Sequence, residues 1–428
     1  MHSQISNLKF EIFQAHNLVT MNSPLTPSPI QRRQFLAGVG SAALALPALA
    51  PNVLVAAEAP AKIRFGLLGC GGRGTWIAQL FLRHGGYQCV AVHDYFPDKA
   101  ARAADQLDVP APARFTGLAG YRKLLELPLD AVVVQSPPFF HAEQTAAAVA
   151  AGKHVYLAKP VAVDVPGCLT VEESGRKATA SRRVFLIDFQ TRAMPDYREA
   201  IRRVHEGMIG RIGLAEATYH CGNTFDGPNE SLRKDPRNPE LRLRAWGLDK
   251  VLSGDVITEQ NIHALDVASW VLNAEPLKAY GTCAHTRGFA GTCHDTWSVV
   301  FHYPNNTLCS FNAKQFGHGY DDILCRVYGT EGTLDTHYGG KVTVKARDDG
   351  FNGNSPNIYE AGAVHNIAAF HQAITTGNFS NPTVSPSVRS NLVTLLGRAA
   401  AYRQSEVTWT DMLKARERLE FDFQGLKA

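Results

Sequence analysis

From Ile63 to Gln190 short apolar runs alternate with stretches whose apolar positions recur at helical spacing. The runs Ile63–Leu68, Gln88–His93, Ala131–Gln135, His154–Leu157 and Val184–Phe189 predict strands, and the segments Gly74–Arg83, Pro97–Gln106, His141–Ala151 and Pro166–Thr179 predict the helices between them. Strand and helix repeated in this order require right-handed crossovers, and so a parallel, doubly wound sheet. After a helix at Tyr197–Glu206 the pattern changes. Strands are predicted at Ile212–His220, Leu277–Cys283, Thr296–Tyr303, Thr307–Phe316 and Ile323–Tyr328, joined by Gly, Asn and Pro turns such as Pro304-Asn305-Asn306. These predict a mainly antiparallel sheet with one open face. Helices at Ala363–Thr376 and Ser387–Tyr402 follow, and no internal repeat is visible. Between Cys221 and Lys250 the chain is polar and charged, a long loop of the kind that more often serves function than connection.

The first strand runs into Gly69-Cys70-Gly71-Gly72-Arg73-Gly74, a Gly-x-Gly-x-x-Gly turn that opens a helix, and the next strand ends on Asp94. Strand, glycine turn, helix and a carboxylate about 20 residues further on are together the context of a dinucleotide-binding unit. Gly69 permits the tight bend, Gly71 lets the backbone approach a pyrophosphate, and Gly74 lets the helix pack on the strand. Gly72 and Arg73 lie in the same turn, among the candidate cofactor-binding residues, and the helix N-terminus that follows supplies free N–H groups for the phosphates. Asp94 stands where a carboxylate bonds the ribose hydroxyls and repels a 2′-phosphate, which favours NAD; Lys99 and Arg102 nearby leave NADP open. The expected fold class is therefore α/β: an N-terminal Rossmann domain with a doubly wound parallel sheet over residues 62–187, plus an α+β C-terminal domain over 188–428 with a mainly antiparallel, open-faced sheet.

The first 57 residues read as a leader. Arg32-Arg33 precedes an apolar run from Ala37 to Ala50, and small residues reach Ala57, the order of a twin-arginine export signal; Met21 is an alternative start. The run is too short to span a bilayer, and Pro47 and Pro51 interrupt it, so no stable membrane insertion is expected. Export by this route, with the translocation machinery as partner and the periplasm as destination, carries folded proteins. It therefore implies a tightly held NAD loaded before export. Net charge is +4 with both signs well mixed, which indicates no nucleic-acid partner. The eight cysteines include no Cys-x-x-Cys pair, and no metal site is expected.

Three further groups carry candidate chemistry. Ser136, Pro137 and His141 follow the third predicted strand, at the edge where ligands of such sheets bind. Lys159-Pro160 follows the fourth and faces the same crevice, although by position alone a surface loop lysine is the commoner reading. Glu259 and His263 are four apart, so they are expected on one helix face, with the carboxylate orienting the ring and favouring its charged form. A structural hydrogen bond, or two metal ligands, would use the same spacing.

With these motifs the chain resembles the Gfo/Idh/MocA oxidoreductases, from about Lys62 onward. Tyr197-Arg198-Glu199-Ala200-Ile201 leading to Gly210, and Gly329-Thr330-Glu331-Gly332-Thr333, add to the likeness. The resemblance implies that Lys159, in place of the lysine of Glu-Lys-Pro, and His263, in place of the histidine of Asp-x-x-x-His, handle the proton of an alcohol whose carbon gives hydride to the nicotinamide. Ala158 stands where that family has glutamate, and Glu259 where aspartate is more common. The expected enzyme is an exported NAD(P)-dependent oxidoreductase acting on a secondary alcohol of a sugar, glycoside or cyclitol. Gln190, Arg192, Tyr219, His220, Asn223 and Trp246 are candidates for holding the other hydroxyls, each equally open to a structural role. Two alternatives use the same parts: an NAD-dependent glycosidase working by transient oxidation and elimination, and a non-catalytic protein that binds sugar and NAD. A sheet with one open face often pairs with its copy, so a homodimer or homotetramer is expected.

Overall fold

The computed structural model describes residues 61–428. The proposed leader lies outside the described residues. Six strands, β1 (Ile63–Leu68), β2 (Tyr87–Asp94), β3 (Arg114–Thr116), β4 (Ala131–Val134), β5 (His154–Ala158) and β6 (Phe185–Asp188), form a wholly parallel sheet in the order β3-β2-β1-β4-β5-β6. Strands covered by helices on both faces read as unbroken apolar runs, and β4 is buried at every position. The order reverses between β1 and β4. Connections leave in opposite directions there and open a crevice at the carboxyl edge of the sheet.

The second sheet has nine strands: β7 (Ile212–Cys221), β8 (Lys278–Ala284), β9 (Thr296–Tyr303), β10 (Thr307–Gln315), β11 (Asp322–Gly329), β12 (Gly332–His337), β13 (Lys341–Ala346), β14 (Gly350–Asn354) and β15 (Val407–Thr408). Their order is β14-β13-β12-β11-β7-β10-β9-β8-β15. It is mixed and mostly antiparallel: β7 and β10 pair in parallel at its centre, and the remaining pairs are antiparallel. Alternate residues of β9 and β10, among them Trp297, Val299, Phe301, Cys309 and Phe311, are buried on one face, while Leu308, Ser310, Asn312 and Lys314 take the other.

Four helices position the site: α1 (Gly72–His84), α2 (Val256–Glu259), α3 (Ile262–Leu272) and α4 (Val384–Arg403). α3 buries nine of its eleven residues, and α4 is buried along most of its length, so both lie inside the molecule. One continuous apolar core joins Val134, Leu157 and Ile187 of the first sheet to Ala217, Phe311 and Val327 of the second through these helices. The segment read as a long loop contains short helices at Asp226–Leu232 and Pro239–Arg244 and a 3-10 turn at Trp246–Leu248. All eight cysteines are free thiols, and no described helix is long and apolar enough to cross a membrane.

Candidate active site

The glycine turn is built as its spacing predicts. Gly69 has φ +94°, and a Cβ there would lie 2.5 Å from the Gln135 carbonyl carbon; a Cβ on Gly74 would lie 1.9 Å from the Gly69 oxygen. Around Gly71 and Gly72 nothing lies within 4 Å of an added Cβ, so their open side is free for a ligand. No side chain caps the start of α1 and no acidic residue stands in its first turn. Its free amides and positive dipole end therefore meet no competing protein group, which fits a pyrophosphate. Asp94 accepts hydrogen bonds from the Cys70 amide through Oδ2 (2.8 Å) and from the Phe96 amide through Oδ1 (2.9 Å). It both fastens the glycine turn and lines the crevice. Ser136 and Pro137 line it too, with Gln135, Phe140, Leu243 and Lys99. The Gln135 amide is buried with no partner for either polar atom, a further place for a bound polar group.

Three residues assigned to this crevice or to the sugar stand elsewhere than expected. Trp246, a candidate for holding the sugar, is in the wall of the dinucleotide crevice, edge-on to Phe225 at 6.0 Å. Arg73 turns its guanidinium away to Asp188 (2.8 Å), against the stacked pair of Trp76 and Tyr359, and leaves only its backbone N–H at the helix start. His141 is buried, with Nδ1 2.8 Å from the Pro160 carbonyl and Nε2 2.8 Å from the Ser136 carbonyl. Burial pushes its pKa down to about 4 against the pull of both carbonyls. It clips the crevice loop to the Lys159-Pro160 turn, and neither ring nitrogen is left for a cofactor.

That turn begins the second half of the site. The Lys159 ammonium donates to the Glu259 carbonyl (2.5 Å) and to its carboxylate Oε1 (3.3 Å), with both side chains largely buried. The chain does not run as one helix through Glu259 and His263. α2 ends at Glu259; the Gln260 and Asn261 amides both turn back to the Val256 carbonyl; and α3 starts at Ile262. Glu259 consequently faces Lys159 and not His263. The imidazole packs 5.1 Å from the Tyr338 ring, and its Nδ1 has no partner. Burial first, then the positive charges of Lys159 and Arg73, hold His263 well below its ordinary pKa. This reverses the expectation of a charged imidazole. Burial also lowers the Lys159 pKa, with Glu259 opposing it. Tyr219 lies close to Glu259 and Tyr338, and burial drives its phenol pKa well up. The side chains of Gln190 and Asn261 are fully buried with no partner for any polar atom, and Tyr338 Oη has none either. Buried polar groups are rarely left so, and each is a point where a bound polar group or water would be satisfied.

The remaining sugar candidates belong to other structures. Arg192 is committed to Asp266 through Nε and Nη2 at 2.8–3.0 Å and also reaches Ser390. His220 alternates with Tyr219 along β7 and shares the opposite face with Lys314 and Asp322, its cross-strand neighbours. Asn223 is exposed in the following loop. Asp188, which anchors Arg73 and Asn366, was missed because nothing in its local sequence distinguishes it from any other strand-end carboxylate. Among the described residues no cluster of His, Cys, Asp and Glu could hold a metal.

Comparison with known proteins gives the same assignment along the chain. The profile "Oxidoreductase family, NAD-binding Rossmann fold" of GFO_IDH_MocA matches residues 63–184, and the profile "GFO/IDH/MocA C-terminal domain" matches residues 197–335. The chain belongs to the Gfo/Idh/MocA oxidoreductase family. Inositol 2-dehydrogenase of Rhizobium meliloti (strain 1021) is 24% identical over 367 residues, covering 80% of this chain and 96% of the relative. Two solved structures share the fold at 19% identity, each covering 81% of this chain and 99% of its own: levoglucosan dehydrogenase in complex with NADH and levoglucosan (TM-score 0.66), and aldose-aldose oxidoreductase from Caulobacter crescentus in complex with glycerol (TM-score 0.65). In this Gfo/Idh/MocA chain the crevice thus lies in an NAD-binding Rossmann domain. Ala158 carries no carboxylate, and the acid beside Lys159 is Glu259 at the end of α2.

Proposed function

We propose that this chain is an exported NAD-dependent dehydrogenase that oxidises a secondary alcohol of a sugar, glycoside or cyclitol and holds its cofactor tightly. One observation carries the reading: Lys159, paired with Glu259, lies close to a neutral, unpartnered His263, one turn of chain from the dinucleotide crevice. Bound in that crevice, a nicotinamide would supply the two-electron hydride acceptor. His263 takes the proton of the substrate hydroxyl, for which a neutral imidazole with a free nitrogen is the competent form. The Lys159 ammonium hydrogen-bonds the same oxygen and stabilises the negative charge that develops on it. Glu259 holds that ammonium in place. Gln190, Tyr219, Asn261 and Tyr338 supply the donors and acceptors for the remaining hydroxyls.

The family relatives that act on inositol and the structural neighbour bound to levoglucosan support this substrate class. Asp94 favours NAD. Leu243 and Trp246, which bring the 239–248 segment against the crevice, favour slow release of the cofactor. The Arg32-Arg33 leader supports export by the twin-arginine pathway. Exposed Leu214, Tyr280 and Leu308 support self-association through the second sheet. The test is a panel of cyclitols, anhydrosugars, aldoses and glycosides incubated with enzyme and NAD+, with NADH and products quantified together. Stoichiometric NADH and a ketone are expected. Aglycone release without net NADH would instead establish transient oxidation and elimination, and binding without turnover across the panel would overturn both.

A further inference from the structure

Lys159 and Glu259 come from a turn and from the end of α2, about 100 residues apart, and one buried helix grips both segments. Along α4 the polar residues Asn391, Thr394, Arg398 and Tyr402 recur at intervals of three or four, so they form a stripe down one face. Asn391 Oδ1 accepts from the Val161 amide (2.9 Å), and its Nδ2 donates to the Ala162 carbonyl (3.1 Å). Arg398 donates to the carbonyls of Val163 and Gly254, both at 2.8 Å, and Thr394 meets Thr258 at 3.0 Å. The last contact is the shortest. Tyr402 Oη donates to Asp255 Oδ2 at 2.5 Å and lies 2.7 Å from His294 Nδ1.

Asp255 is fully buried and has φ +76° and ψ 164°, a backbone region that suits glycine and strains any other residue. Such strain persists only where surrounding contacts over-determine it. Here they do: its carboxylate also accepts from the amides of Val256 (2.7 Å) and His294 (2.9 Å), and its carbonyl accepts from the amides of Thr258 (3.0 Å) and Glu259 (2.8 Å). We propose that Asp255 and Tyr402 are positioning residues for Lys159. Their hydrogen bond fixes the turn that presents the Glu259 carbonyl and carboxylate together to the Lys159 ammonium. The inference rests on Lys159 being a proton-handling group, as argued above.

Two measurements test it. Acetic anhydride labelling of the purified protein, read by peptide mass spectrometry, reports directly on Lys159. In Tyr402→Phe and Asp255→Asn its labelling should rise about tenfold, the effect of losing roughly one buried hydrogen bond, while Lys123 stays unchanged. Asp255→Gly removes the carboxylate without the backbone strain and serves where Asp255→Asn does not fold. Unchanged Lys159 reactivity in the folded variants would overturn the inference. In turnover, Tyr402→Phe should lower kcat with NAD+ affinity within twofold, and should have no further effect on kcat in a Lys159→Ala background. An equal loss in that background would mean that Tyr402 acts elsewhere and would also overturn it. Increased labelling in an enzyme that turns over none of the panel would leave the positioning inference standing and remove the catalytic reading.

Discussion

At the scale of single residues, the protonation state of His263 decides what the site can do. An imidazole held neutral by burial, with Lys159 and Arg73 adding to the effect, is a base at neutral pH. His263→Ala should therefore keep NAD+ affinity within a few-fold yet lower kcat by about 10²–10⁴. Normal turnover in folded His263→Ala protein would sink the assignment. The pH profile carries a second check. The proposed mechanism needs His263 unprotonated and Lys159 protonated, and both pKa values are lowered. The acid limb of kcat/KM should fall below histidine's ordinary 6.5, and the alkaline limb below lysine's ordinary 10.5. Asp94 requires more care, because its carboxylate holds the Cys70 and Phe96 amides as well as facing the crevice. Asp94→Ala should weaken both NAD and NADP by loosening the glycine turn, with NAD losing more because it also loses the ribose contact. The order of Lys159, Glu259 and His263 was legible in the sequence because a motif fixes it, but the partner of Glu259 was not: its carboxylate meets Lys159, 100 positions away, and not His263. The roles of Arg192, Trp246 and His220 were not, because residue type does not reveal the partner: Asp266 lies 74 positions from Arg192, and strand alternation puts His220 on the face opposite Tyr219.

At the scale of elements, two glycines of one turn should fail in different ways. Gly74→Ala places a methyl 1.9 Å from the Gly69 carbonyl, so the strand and α1 must separate, and both stability and NAD binding should drop. Gly71→Ala meets nothing within 4 Å; its melting temperature should stay near that of the wild type while NAD affinity falls. Equal NAD affinity in folded Gly71→Ala would mean that the pyrophosphate does not lie over Gly71. The six-stranded sheet was largely legible because burial on both faces writes uninterrupted apolar runs. β3 was not, being two half-buried residues and an exposed one, nor were β12–β14, where strands such as Gly332–His337 turn only two side chains inward. The break between α2 and α3 was also hidden. Apolar residues continue through it, and the pairing of Gln260 with Gln315 of β10 that fastens it is long-range.

At the scale of the whole molecule, the two sheets share one core, so buried charge inside it bears on overall stability. Asp266 is fully buried and satisfied by Arg192. Arg192→Ala should destabilise the protein by about 3–5 kcal/mol, because it strands a buried carboxylate, while the substrate KM of the folded fraction stays unchanged. A raised KM without loss of stability would return Arg192 to the sugar site.

The histidines set a second global property. Burial pushes the His154 pKa down to about 4 and holds His263 well below 6.5. Each is depressed in the folded state, so below pH 6.5 the unfolded chain binds more protons than the native one. Their contribution to stability is complete above pH 6.5 and is lost as pH falls towards the folded values. At His154 the cause is visible in the backbone: Nδ1 accepts the Val184 amide at 2.8 Å, and a proton there removes the acceptor at the edge of β5. Because this ring is partly exposed, its share is about 1–2 kcal/mol between pH 7 and pH 4, well under the full value of its shift. His154→Asn places a non-titrating oxygen near the same point. Urea midpoints measured from pH 7 to pH 4 should fall steeply for the wild type and less steeply for His154→Asn. Parallel slopes for the two proteins would show that His154 is not among the groups that couple folding to protons.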